Sequence, residues 1–179
     1  MVEAVESWDA TFLGLAERFA RRSKDPSTKV GCVIVGPDRE VRSMGYNGLP
    51  RGVEDLAERM ERPAKYLWTS HAEENAVAQA ARIGVSLKEC TAYVTHFPCA
   101  RCARAMIQAG IIAVKFGNGT TNMPSDEFEV ANRMLTESNI KPEQVQTEQK
   151  RHFLDGWFAQ SYARGEWPEY PWTRADDPK

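Results

Sequence analysis

The sequence predicts an α/β fold in which helices cover a mixed sheet. Three observations carry that prediction. Two β-rich runs, VGCVIV (30–35) and EVRSMGY (40–46), flank a GPDR turn and so read as an antiparallel hairpin. After the hairpin, stretches of helical spacing alternate with short apolar runs, the pattern of a sheet with crossover helices. The chain has 179 residues, enough for one domain with a real core and too few for two comfortable ones.

Each element has its own signal. Residues 8–22 form an amphipathic helix, with Phe12, Leu15, Ala16 and Phe19 at helical spacing. The polar stretch SKDPSTK ends it, because Pro26 lacks an amide donor and disfavours helix just before it. After the hairpin, NGLPRG (47–52) is loop, and the polar region to about residue 65 carries no clear pattern. Residues 71–82 form a helix stopped by Gly84. TAYVT (91–95) is a short strand, and Pro98 opens a helix that ends at Gly110. IIAVKF (111–116) is a buried strand, 124–138 a helix, and 144–147 an edge strand. From Lys150, the residues Phe153, Leu154, Trp157, Phe158 and Tyr162 share one face of a last helix.

Composition narrows the function. The net charge of −2 gives no basic field for a polynucleotide, while a small anionic substrate held by local cations fits. The N-terminal segment carries acidic residues and no apolar signal core, and no stretch approaches 18 apolar residues. Those features favour the cytoplasm and no membrane partner. Four cysteines in a chain of this size do not make a disulfide framework.

Two short stretches carry chemistry. In SHAEENA (70–76), Ser70 and Glu73 have capping-box spacing, yet His71 serves no capping purpose. In FPCARCA (97–103), Cys99 and Cys102 share one helix face, and Pro98 places both sulfurs in the first turn. Exposed N–H groups and the helix dipole there favour the thiolate, which is the metal-binding form. If the two helix starts converge, His71, Cys99 and Cys102 give zinc three protein ligands and leave the fourth position open, as in catalytic sites. Glu73 would then serve the water in that position, whose pKa zinc lowers to roughly 7. Together with Pro98, these residues fill the H-x-E…P-C-x-x-C signature of zinc nucleobase deaminases.

The plainer readings are a simple capping box for Ser70 and Glu73, and a redox pair for Cys99 and Cys102. Cys32 and Cys90 read as small buried residues, and His96 and His152 as non-ligands, with His96 beside the pocket.

From 23 to 140 the chain resembles the deoxycytidylate (dCMP) deaminases, through SKDPSTKVG, GYNGLPRG, HAEENA, YVTHFPCARCA and QAGI in that order. The resemblance implies a cytidine deaminase-like three-layer α/β/α sandwich with a five-stranded mixed sheet. It implies hydrolytic deamination of dCMP to dUMP, the precursor of thymidylate, by water activated at one Zn²⁺ per chain. His71, Cys99 and Cys102 would be the zinc ligands and Glu73 the proton shuttle. Asn47 would reach the sugar, the N–H of Ala72 the pyrimidine carbonyl, and a carbonyl at His96 or Phe97 the exocyclic amine.

The phosphate would meet cations or hydroxyls near the mouth, for which Ser23, Lys24 and Lys29 are the candidates. The family further implies a homo-oligomer, often a hexamer, with dCTP as activator, dTTP as inhibitor and Mg²⁺ accompanying the triphosphate. Residues 1–149 would form the zinc-dependent deaminase domain. The helix and aromatic tail of 150–179 depart from the family pattern and would pack on that domain or at a subunit contact. Other cytosine nucleotides, including 5-substituted dCMP, deoxycytidine and dCTP, are alternative substrates, as is tRNA adenosine. A catalytically idle nucleotide-sensing zinc domain is the reading from a different class.

Overall fold

β1 (Gly31–Val35) and β2 (Val41–Tyr46) form the expected antiparallel hairpin, with Gly31 opposite Tyr46 and Cys32 opposite Gly45. The computed structural model describes residues 6–146. Every residue of β1 is buried, as its unbroken apolar run requires of a strand covered on both faces. β3 (Thr91–His96) pairs antiparallel with the other edge of β1. β4 (Ala113–Gly119) and the two-residue β5 (Glu143–Gln144) then add in parallel. The result is a five-stranded mixed sheet in the order β2-β1-β3-β4-β5.

Helices cover both faces. α1 (Trp8–Ala20) starts at Ser7, whose hydroxyl accepts the N–H of Ala10 at 3.2 Å, and packs on β1 and β3. Phe12, Leu13 and Ala16 meet Val33, Val35 and Tyr93 there. α3 (Ala72–Ile83) lies on β2, and α4 (Ala100–Gln108) lies beside α3 with α5 (Ser125–Glu137) packed along it. Two glycines permit these approaches. A β-carbon at Gly31 would stand 1.9 Å from the Ala16 carbonyl oxygen, and one at Gly45 would stand 2.2 Å from that of Ala72. Ser43 fixes the second contact by donating its hydroxyl to the Ala76 carbonyl at 2.6 Å.

The region before residue 65, which had no sequence pattern, contains a 3₁₀ turn at Ala57–Met60 and the one-turn helix α2 (Lys65–Trp68). The predicted strand 111–116 starts later and runs further. Ile111 N–H is spent on the Met106 carbonyl, closing α4, and Ile112 N–H on that of Cys90. Gly110 makes this closure with φ of 83°, a conformation that a glycine adopts freely. The edge strand is Glu143–Gln144, one residue earlier than expected, and Thr147 lies outside the described residues. The helix expected from Lys150 and the aromatic tail also lie outside them, as does His152. Among the described residues, no helix is long and apolar enough to cross a membrane.

Candidate metal centre and active site

The starts of α3 and α4 converge. His71 is the residue just before α3, and Cys99 the residue just before α4, with Cys102 in the first turn of α4. His71 Nδ1 lies 3.4 Å from the sulfur of Cys99 and 3.4 Å from that of Cys102. All three donor atoms fall within 4.8 Å of one another. Tetrahedral zinc, with Zn–S of about 2.3 Å and Zn–N of about 2.1 Å, holds its donors about 3.5 to 3.8 Å apart. The spacing and the soft donor set therefore fit zinc, and the described residues bring no fourth protein ligand to this group.

The helix start differs from the sequence expectation in one respect. Ser70 does not cap α3. Its N–H and carbonyl are committed to Gly48 in a pair of backbone bonds at 2.9 and 3.1 Å, which keeps Ser70 extended. His71 becomes the boundary residue, and its N–H donates to the carboxylate of Glu74 at 3.0 Å. The capping role thus falls on Glu74, and Glu73 is free for other work.

Glu73 is 4% exposed, on the first turn of α3. Burial pushes its carboxyl up to about 7, against the pull of the His71 charge. A carboxyl near neutrality both takes and gives a proton at physiological pH. In the metal-free chain the hydrogen bond from Cys102 draws the Cys99 thiol down to about 4, while its partner Cys102 is pushed well up. The same cluster raises His71 to about 9, chiefly through its hydrogen bond to Cys99. Metal binding requires deprotonated ligands, so loading the site releases protons. Cys32 and Cys90 are buried, and burial raises both thiols. All four cysteines are free.

A cavity opens onto His71, Glu73 and Cys99, and Asn47, His96 and Phe97 also line it. Asn47 is held rigidly. Its side-chain oxygen accepts the Val30 N–H at 2.8 Å, and its nitrogen donates to the Thr28 carbonyl at 2.9 Å and to Asp25 at 3.4 Å. That leaves one acceptor lone pair on Oδ1, suited to a hydroxyl donor. The Ala72 N–H lies in the first turn of α3, where helical bonding leaves amides unpaired. Phe97 packs edge-on against Phe116 at 4.9 Å between centroids and against Phe128 at 6.3 Å. Burial lowers His96 to about 4, so this imidazole is neutral. Its Nδ1 sits 2.8 Å from the Thr95 hydroxyl.

The three predicted phosphate contacts are placed elsewhere. Ser23 is buried and accepts the Asp25 N–H at 3.2 Å. Lys24 is exposed and paired with Asp55. Lys29 is exposed, and none of the three lines the cavity. The lining instead includes Asp25, Arg62, Lys65 and Tyr66, which sequence reasoning missed. Asp25 had a readable local signal, the Asp-Pro-Ser turn: its carboxylate accepts the N–H groups of Ser27 and Thr28 at 2.8 and 3.1 Å. Lys65 had none, since its partner Asp25 stands 40 positions away, at 2.7 Å in space.

Comparison with known proteins agrees with this geometry. Residues 6–118 match the family model of the cytidine and deoxycytidylate deaminase zinc-binding region, a span that contains His71, Glu73, Cys99 and Cys102. A deaminase from Aliivibrio fischeri, described as uncharacterized and lying in the luxG 3′ region, is 41% identical across 76% of this chain and 92% of its own. A probable deoxycytidylate deaminase of Caenorhabditis elegans is 37% identical across 80% of this chain and 73% of its own. Among solved structures, the dCMP deaminase of cyanophage S-TIM5 in complex with dCMP and dUMP superposes with a TM-score of 0.62. It shares 26% identity and covers 75% of this chain and 94% of its own. A fold that brings the ends of two helices together around one imidazole and two thiols, and a sequence matched across that whole region, place this chain in the cytidine and deoxycytidylate deaminase family.

Proposed function

We propose that this chain hydrolyses dCMP to dUMP and ammonia, supplying dUMP for thymidylate synthesis. One observation carries the reading: a buried carboxyl poised near neutrality beside a three-ligand metal site, at a cavity that also presents Asn47. The relatives named for deoxycytidylate, and the cyanophage enzyme solved with dCMP and dUMP, support the choice of substrate.

When bound, zinc at His71, Cys99 and Cys102 supplies Lewis-acid activation of a water molecule. Glu73 removes a proton from that water and hands it to ring N3, which makes C4 electrophilic. The water oxygen bonds to C4, Glu73 takes the remaining proton from that oxygen and delivers it to N4, and the C4–N4 bond breaks to release ammonia and leave the C4 carbonyl of dUMP. One water is consumed and one ammonia released. The N–H of Ala72 holds the pyrimidine carbonyl, and the backbone at His96 and Phe97 accepts from the exocyclic amine. Asn47 Oδ1 takes a sugar hydroxyl on its remaining lone pair. Phe97 and Phe128 keep bulk water from the ring.

Assembly as a homo-oligomer, activation by dCTP with Mg²⁺ and inhibition by dTTP belong to the same proposal and rest on the sequence resemblance. The test is zinc content, then ammonia release from dCMP, CMP, deoxycytidine, dCTP, 5-methyl-dCMP and a short single strand, with and without the effectors. The proposal expects one zinc per chain and dCMP as the preferred substrate. Zinc without ammonia from any of them would identify an idle domain. Preference for a polynucleotide would move the chain to the tRNA-acting members of the fold.

A further inference from the structure

The lining of the active-site cavity carries two cations, Arg62 and Lys65, and two carboxylates, Asp25 and Glu73. Lys65 is 5% exposed, and its ammonium is taken up by Asp25 at 2.7 Å and the Ser27 hydroxyl at 2.6 Å. Asp25 is in turn spent on Lys65, on the Ser27 and Thr28 amides, and on Asn47. Glu73 lies deep, beside the metal ligands. Arg62 is the remaining charge. It is exposed at the rim, makes no ion pair among the described residues, and lies 6.0 Å from the ring of Tyr66, itself part of the lining. The Lys65 ammonium is 5.8 Å from the same ring.

We propose that Arg62 is the residue that recognises the phosphate of the substrate and so makes this site select a nucleoside monophosphate over a nucleoside. This rests on the deaminase reading above and deepens it. The planar guanidinium offers two parallel N–H donors that match two oxygens of a phosphate, a geometry that an ammonium lacks. Tyr66 supports the guanidinium at the rim through its ring face. The buried Lys65–Asp25 pair is already neutral overall, so it adds a donor wall without competing for the dianion. Lys24, paired with Asp55, and Lys29 are not among the residues that line the cavity, whereas Arg62 is.

The experiment measures binding of dUMP and of deoxyuridine by calorimetry to the zinc-loaded full chain, for wild type, Arg62→Ala, Arg62→Lys and Lys24→Ala. Binding of the product reads phosphate recognition without relying on turnover. Arg62→Ala is expected to weaken dUMP by about tenfold and to cut the preference for dUMP over deoxyuridine by the same factor. Arg62→Lys should restore part of that preference, and raised salt should weaken dUMP more in wild type than in Arg62→Ala. Lys24→Ala should leave the preference intact. An unchanged preference in Arg62→Ala, or an equal loss in Lys24→Ala, overturns the assignment. So does a wild type that binds dUMP no tighter than deoxyuridine. Wild type that binds neither contradicts the pyrimidine-site reading itself, a different and recognisable failure. Because Arg62 is exposed, matched melting temperatures will show that the variants fold.

Discussion

Glu74 accepts the backbone N–H of His71 at 3.0 Å and pairs through its other oxygen with Arg101 of α4. One carboxylate thus caps the start of α3 and ties it to α4, at whose start Cys99 and Cys102 lie. Its neighbour Glu73 points into the cavity instead. The two glutamates therefore predict opposite phenotypes. Glu74→Ala should lower stability by about 1 kcal/mol, the usual cost of a lost cap, and loosen zinc by a modest factor while the chemistry persists. Thermal unfolding and zinc titration check this. A Glu74→Ala enzyme as inactive as a Glu73 variant would contradict the division of labour.

The buried pair of Asp25 and Lys65 sets a second expectation. Burial alone would raise the Asp25 carboxyl, but hydrogen bonds from Lys65, Ser27 and Thr28 together hold it below its ordinary value. A depressed carboxyl stabilises the fold fully above its unfolded value of 3.8, and that stability is lost as pH falls through the depressed folded value. Breaking the pair with Lys65→Met should cost about 3–5 kcal/mol, since it leaves a buried charge alone. Asp25→Asn with Lys65→Met should recover much of that loss. A full double-mutant cycle of urea midpoints measures the coupling, and strictly additive losses would show that the two side chains act independently.

His96 has the opposite chemistry and the same sense of pH dependence. Burial lowers it from 6.5 to about 4, so the folded chain resists a proton that the unfolded chain accepts. Stability from this residue is complete above 6.5 and declines as pH falls from 6.5 toward 4. The linked loss is on the order of 3 kcal/mol at most. His96→Leu should flatten the stability curve across that window, measured as melting temperature against pH in chelator-treated protein. Parallel curves for the two proteins would rule out His96 as the source.

Gly45 is the point at which α3 rests on the sheet. A β-carbon there would meet the Ala72 carbonyl at 2.2 Å and the Ala76 nitrogen at 2.5 Å. Gly45→Ala must push the start of α3 outward, carrying His71 and Glu73 with it. We expect a loss of about 1–3 kcal/mol together with weaker zinc binding. Gly14 is the control, because nothing lies within 4 Å of its added β-carbon inside α1. Gly14→Ala should stabilise by about 0.5–1 kcal/mol. Equal effects at the two glycines would refute the packing argument.

Much of this arrangement was legible in the residues themselves. The hairpin and the alternation after it are local patterns, enough for the antiparallel β1–β2 pair and for a mixed sheet but not for the strand order. The candidate metal cluster of His71, Cys99 and Cys102 was legible because histidine and paired cysteines at helix starts have few structural uses. What escaped depends on contacts distant in sequence. Ser70 fails to cap α3 only because Gly48, across a loop, takes its backbone groups. Lys65 sits at the end of a stretch without a pattern, and only the fold places Asp25 against it. Lys24 has a charged partner, Asp55, that no local pattern shows, and it is not among the residues lining the cavity. Charge near a motif says nothing of which way the side chain faces, and that is where the cavity lining diverged from expectation.

In the proposed mechanism, Glu73 moves protons at a zinc site held by His71, Cys99 and Cys102. Its most direct test is Glu73→Gln, scored for bound zinc and for ammonia release from dCMP on the same sample. Zinc should be retained at one per chain and turnover reduced by at least about a hundredfold, the usual weight of acid–base catalysis. Turnover within a few-fold of wild type, or zinc lost along with the carboxylate, would contradict it.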